Sequence, residues 1–219
     1  EKTYSIARKK APNAFLIANI GGVQLVHGYG IKEVKKVIEM IDADAVAIHL
    51  NALQEAVQPE GQTDFKCVLA KITEVASTLS KPVIVKETGA GISAEDAEAL
   101  KDAGVKAIDV GGAGGTSFAA VEYYRAKTAL GMAFWDWGIP TVVSIVETIK
   151  TAKLPTIASG GIRSGMDFAK ALALGSSLTS ISQPVLEEAV KESKEIEQLI
   201  SSYINELRNV MFLVGAQNT

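Results

Sequence analysis

A chain of 219 residues that is 47% hydrophobic can bury one large core or two small ones. Its 22 basic and 25 acidic residues leave a net charge of −3, which excludes an electrostatic grip on nucleic acid. A single cysteine, Cys67, excludes an internal disulfide and fits a cytoplasmic location, and no apolar run is long enough to span a membrane.

Short apolar runs alternate with helical periods, the signature of βα units around a parallel sheet. Asn13 to Gly21 is the first predicted strand, and a helix follows from Ile31 with Val34, Val37, Ile38 and Ile41 on one face. Ala45 to Asn51 is the second strand and opens into a polar loop, Ala52 to Thr63. Leu69, Ile72, Val75, Ala76 and Leu79 mark the next helix, with Cys67 as a small side chain on it. Pro82 to Glu87 is the third strand; Ser93 and Asp96 have capping-box spacing, and Gly104 ends the helix they open. Val105 to Val110 is the fourth strand, followed by the glycine run Gly111 to Thr116. A helix over Val121 to Lys127 gives way to an irregular loop in which Phe134, Trp135 and Trp137 read as packing or lid residues. Thr141 to Thr151 is helical, Thr156 to Ser159 is the fifth strand and Leu178 to Ser182 the sixth. Pro184 suits a first helical turn, and apolar positions from Leu186 to Met211 form a long amphipathic end.

Polar residues gather at the C-terminal ends of these strands: Asn19, His49, Asn51, Lys86, Thr88, Thr116, Arg163 and Ser182. Barrels and open α/β sheets both place ligands there. Glycine-rich ends late in the chain favour a (β/α)8 TIM barrel, whose phosphate site follows strands seven and eight. Assigning Ile157 and Ile181 to those strands makes the Phe15 strand number three. The expectation is therefore one domain over residues 1–219 that covers strands three to eight and lacks the N-terminal strands before Glu1.

Within Ser159 to Gly165, Gly160 and Gly161 allow a sharp turn and close approach of a ligand to the backbone. Ser164 and Asp167 have the spacing of a capping box, so a helix starts here, and its free N–H groups with Arg163 form an anion site suited to phosphate. An ordinary βα turn has the same composition. The glycine run before Thr116 reads as a second face of that pocket. Lys86 ends an apolar strand, where its charge needs a ligand or a neighbouring carboxylate. In His49 to Gly61, Glu55 suits either a solvated loop charge or a Mg²⁺ ligand beside a diphosphate, and His49 either a ligand contact or a satisfied core histidine. His27 receives no role.

Four stretches, His49 to Gly61, Val85 to Gly89, Gly114 to Thr116 and Ser159 to Gly165, together resemble the type 2 isopentenyl-diphosphate isomerases. The resemblance runs nearly from Tyr4 to Asn218, and the first stretch carries most of its specificity. It implies an FMN-bearing TIM barrel that interconverts isopentenyl and dimethylallyl diphosphates in isoprenoid biosynthesis, using reduced FMN and Mg²⁺, with NADPH as reductant. It also implies a homotetramer or larger assembly. Carried over by motif, Asn19, Lys86 and Thr116 contact FMN, while Gly161, Arg163, Ser182 and Gln183 surround its phosphate. His49, Asn51 and Gln54 face the substrate, Gln54 is catalytic and Glu55 holds Mg²⁺. Glu122 resembles a further polar residue near the site.

The reaction shifts a proton without net redox change. Gln54 has no ordinary titration, so the acid–base role falls to the reduced flavin, and Gln54 orients the alkene or relays a proton. The family's N-terminal Arg–Lys pair is absent before Glu1, and the segment from Ala126 to Ala133 is shorter than the family pattern. The competing readings are another FMN barrel enzyme, a flavin-binding module without catalysis and a purely structural fragment. A 2-hydroxy-acid oxidase needs a His–Arg pair, and an inosine-monophosphate-dehydrogenase-like enzyme needs a nucleophilic cysteine in a loop.

Overall fold

The computed structural model describes residues 4–190 and 193–219. The strands β1 (Ile17–Gly21), β2 (Ala45–His49), β3 (Val83–Lys86), β4 (Ala107–Asp109), β5 (Thr156–Ala158) and β6 (Leu178–Thr179) form one sheet. They lie side by side in sequence order, all parallel. Each crossover thus advances the sheet by one strand, as in a barrel wall, whereas a doubly wound sheet reverses direction at its centre. The six strands correspond to a partial TIM barrel.

Helix α1 (Ile6–Lys10) precedes β1, and α2 (Gly22–Val26) and α3 (Ile31–Ile41) link β1 to β2. Helices α4 (Ala52–Val57) and α5 (Val68–Thr78) link β2 to β3, and α6 (Ala94–Asp102) links β3 to β4. Helices α7 (Phe118–Ala126), α8 (Ala129–Ala133) and α9 (Thr141–Ala152) separate β4 from β5, and α10 (Gly165–Ala173) leads to β6. Helices α11 (Gln183–Ala189) and α12 (Ser193–Val214) complete the chain. Among the described residues, no helix is long and apolar enough to cross a membrane.

Side chains alternate between two faces of the sheet. Ala18, Ile20, Val46, Ile48, Val83, Val85 and Ile108 enter the main core with Val34, Ile72, Val75, Ala97 and Leu100 of the covering helices. The other face carries a thin cluster of Ala45, Ala47 and Ile84, with Ala107 and Ile157 packed against it. Several of these side chains are small, so this face leaves space above it. Two residues further along each strand, the same face presents His49, Lys86 and Asp109. The ladder aligns Gly21, His49, Lys86, Asp109 and Ile157 in one row across five strands.

Ser144 fastens α9 to the loop before α6. Its buried hydroxyl donates to Ile92 O and accepts from Ile92 N, each at 2.8 Å. Ser144→Ala leaves two buried backbone groups without partners and is expected to cost about 2–4 kcal/mol in urea unfolding. Thr73→Ala, which removes an exposed hydroxyl bonded within its own helix, should cost less than ~0.5 kcal/mol.

Three expectations need correction, and a fourth is refined. The predicted loop from Ala52 to Thr63 begins as helix α4, because Glu55 and Val57 are buried; Pro59 then holds Gln58 extended and ends it. The strands are shorter than their apolar runs: β1 starts at Ile17, and β6 is two residues long, because pairing to a neighbour defines a strand. Cys67 is not on a helix; it caps α5 with φ 69° and is exposed. The amphipathic end comprises two helices, α11 and α12. The predicted continuity between them crosses residues 191–192, which lie outside the described residues, as does Glu1.

Candidate active site

The turn after β5 and the glycine run after β4 pack backbone against backbone. Gly160 and Gly161 have φ of 99° and 81°. A Cβ on Gly161 would lie 2.0 Å from Gly114 O, and one on Gly160 would lie 2.1 Å from Gly112 O. These glycines are required because the two turns touch each other. That contact adds a packing reason for their bareness beside the expected one, and both glycines also line the cavity described next.

Both turns line a cavity of about 260 Å³ with Lys86, Thr116, Arg163, Ser182 and Gln183. Six of the seven residues predicted to hold the cofactor therefore meet in one place. Asn19 lies outside it, with its amide donating to His49 Nδ1 at 3.1 Å.

The expected anion site at the start of α10 is also altered. Ser164 caps the helix by accepting from Asp167 N, Gly165 N donates to Glu206 Oε2 at 2.7 Å, and Arg163 N donates to Asp167 Oδ2. Several N–H groups that line the cavity, those of Gly161, Ile162, Ser182 and Gln183 among them, have no partner among the described residues. Arg163 is exposed and forms no salt bridge among the described residues. Four open N–H groups and a free guanidinium fit a phosphate. The Gln183 side chain is bonded to Glu187, so that residue offers its backbone to the cavity.

Beside the cavity, a hydrogen-bonded string joins the start of α4 to α7. Thr88 Oγ1 donates to Asn51 Oδ1, Asn51 Nδ2 to Gln54 Oε1 at 2.8 Å, and Gln54 Nε2 to Glu122 Oε1 at 2.9 Å. Arg125 then bridges Glu122 (2.6 Å) and Glu60 (2.7 Å). Both ends of the Gln54 amide are engaged, so its rotation is set. Asn51 has φ 54°, a left-handed conformation that asparagine tolerates better than most residues. Glu87 supports the same segment: its buried carboxylate accepts from the N–H groups of Thr88, Ala90 and Ala52. Burial pushes the Glu87 carboxyl above its usual range, and those bonds oppose the shift.

Burial, reinforced by Lys86, holds the His49 imidazole below its usual pKa, so the ring is neutral at pH 7. Because Nδ1 accepts from Asn19, the ring proton sits on Nε2. Glu55 is buried, and its Oε2 accepts from Gln58 Nε2 and Gln62 N. Among the described residues, no group of three His, Cys, Asp or Glu side chains is placed to hold a metal. One carboxylate suits Mg²⁺ when phosphate oxygens and water supply the remaining ligands. His27 caps α2, and neither it nor Cys67 lines the cavity.

Sequence reasoning missed Asp109, Ser159, Arg125 and Glu87. A charged residue closing a short apolar strand was a readable signal for Asp109. Arg125 reveals itself only when α7 folds against α4, which also brings Glu122, named through the resemblance, onto Gln54.

The fold and site define an α/β protein with a cavity lined by glycine turns and Arg163 on the C-terminal rim of a singly wound parallel sheet. The family model for FMN-dependent dehydrogenases matches residues 32–219, and the chain belongs to that family. It is 52% identical over 225 residues to the isopentenyl-diphosphate delta-isomerase of Methanosarcina barkeri, an alignment covering 100% of this chain and 61% of that protein. The Pyrococcus furiosus protein of the same name is 52% identical over 220 residues, covering 96% and 56%. That of Methanothermobacter thermautotrophicus is 51% identical over 218 residues, covering 99% and 61%. The chain thus spans about three fifths of the length of these curated relatives.

Proposed function

We propose that this chain forms the cofactor and substrate site of an FMN-dependent isomerase that interconverts isopentenyl and dimethylallyl diphosphates. The observation that carries the reading is the string Asn51–Gln54–Glu122 beside the phosphate-type cavity, in a chain about 50% identical to relatives that bear the isomerase name. In this reading the six strands are strands three to eight of a (β/α)8 barrel in a single FMN-binding domain.

The N–H groups of Gly161, Ile162, Ser182 and Gln183, with Arg163, would hold the FMN phosphate, with Lys86 and Thr116 along the rest of the flavin; Asn19, outside that cavity, would act on the site through its bond to His49. Bound and reduced, FMN supplies a ring nitrogen able to exchange protons. The neutral His49 offers Nε2–H to the substrate without adding charge. Glu55 would hold Mg²⁺, which would supply charge neutralisation for the diphosphate. Gln54 is fixed by Asn51 and Glu122 so that its amide faces the reacting carbons in one orientation. Glu122 Oε1 is the titratable atom in contact with that amide, and Arg125 balances its charge. NADPH is the reductant that keeps the flavin reduced.

Isomerisation of isopentenyl diphosphate in D₂O, followed by proton NMR, tests the reading with protein expressed from its complete gene. Deuterated dimethylallyl diphosphate that forms only with reduced FMN and Mg²⁺ is the expected result. Protein that binds FMN yet forms no product under those conditions overturns it. Cys67 lies outside the cavity, which disfavours a cysteine-dependent dehydrogenase.

A further inference from the structure

Asp109 is a charged side chain in the wall of the cavity that the proposed reaction does not use. It pairs in register with Lys86 on the neighbouring strand, at a strand spacing of ~4.8 Å. Both residues follow the alternation that leads from Ile84 and Ala107 onto the open face of the sheet. Both line the same cavity.

The partners of Asp109 are uncharged: Oδ1 accepts from the Ser159 hydroxyl and from Gly111 N at 3.4 Å. Lys86 Nζ donates to Glu87 O at 3.1 Å, and among the described residues Lys86 makes no salt bridge. The carboxylate of Glu87 is committed to the N–H groups of Thr88, Ala90 and Ala52. On its other side Lys86 faces His49, which is neutral. Asp109 is therefore the carboxylate left to balance Lys86 from inside the cavity.

We infer that Asp109 is the counter-charge of Lys86 and, through Lys86, a positioning residue that sets how strongly the site prefers reduced over oxidised flavin. The inference rests on reading this cavity as the flavin site. A half-buried carboxylate without a cationic partner in contact is costly to keep. Burial raises the Asp109 carboxyl, while the Ser159 hydroxyl and Lys86 pull it back toward the ionised form. The physical logic is electrostatic. Reduction adds negative charge to the flavin, which the Lys86 cation beside it stabilises, and a carboxylate that holds and neutralises that cation weakens the stabilisation. Ser159 and Gly111 hold the carboxylate in place, so the balance is built into the strand ends.

The test is an equilibrium redox titration of the FMN-loaded protein, expressed from its complete gene, against a dye of known potential. Asp109→Asn keeps the shape and both hydrogen-bond partners but removes the charge. It should favour reduced over oxidised FMN about tenfold more than wild type does, a rise of ~30 mV for a two-electron couple. Asp109→Ser should shift the ratio in the same direction. In a Lys86→Met background, Asp109→Asn should change the ratio less than about twofold, because the group it acts through is gone.

An unchanged or reversed ratio in Asp109→Asn overturns the inference, as does a full shift in the Lys86→Met background. Wild-type protein that binds no FMN overturns this inference and the flavin site together. Wild-type protein that binds FMN but fails to isomerise overturns the proposed reaction alone.

Discussion

Gly161→Ala is expected to remove FMN binding from the protein and to destabilise it by about 4 kcal/mol or more. Two costs act together. Residue 161 has φ 81°, where an L side chain costs ~1–2 kcal/mol. The added methyl would also sit 2.0 Å from Gly114 O, and main chain cannot swing aside as a side chain can. The turn after β5 must then part from the glycine run after β4, which opens the N–H groups of the phosphate cradle. Gly175 separates the two costs. Its φ is 101°, but an alanine Cβ there would meet Ile149 Cδ1 at 3.5 Å, an ordinary contact. Gly175→Ala should cost only ~1–2 kcal/mol and leave FMN affinity within about twofold. Flavin fluorescence titration with thermal melts of both variants measures the contrast. Equal losses at the two sites would mean that φ, not the packing of the turns, is what matters.

Gln54→Ala is expected to lower the isomerisation rate by at least about 100-fold while FMN binding is retained. The amide is held at both ends, by Asn51 and by Glu122, so its removal leaves Asn51 Nδ2 and Glu122 Oε1 without that partner. Glu122→Gln tests the other half of the contact. It keeps the volume but removes the charge that Arg125 neutralises, and it should also reduce kcat at least about 100-fold. Neither residue lines the phosphate cradle, so flavin titration should match wild type in both variants. Full turnover by Gln54→Ala would remove that side chain from the chemistry.

The parts of the site that the sequence displays are the local ones. Ser164 and Asp167, three residues apart, begin α10 as their spacing predicts, and Ser93 with Asp96 begins α6. Lys86 announces itself because a charge at the end of Val83–Val85 has no place in an apolar core. The glycine run and Gly160–Gly161 are visible as breaks in apolar periodicity, although the close packing of the two turns is not. The α4 helix escapes such reading because six residues between a strand end and Pro59 are too few for periodicity to show.

Strand count, parallel order and the phosphate-type rim follow from patterns within a few residues: apolar runs, helical spacing and glycine turns. The pairing of Gln54 with Glu122, the bridge from Arg125 to Glu60 and the row His49–Lys86–Asp109 belong to the tertiary structure. Each joins residues that are far apart in the chain, up to 68 positions for Gln54 and Glu122. Register and helix docking bring such groups within hydrogen-bond reach. No local spacing encodes that distance, because it depends on how intervening elements pack.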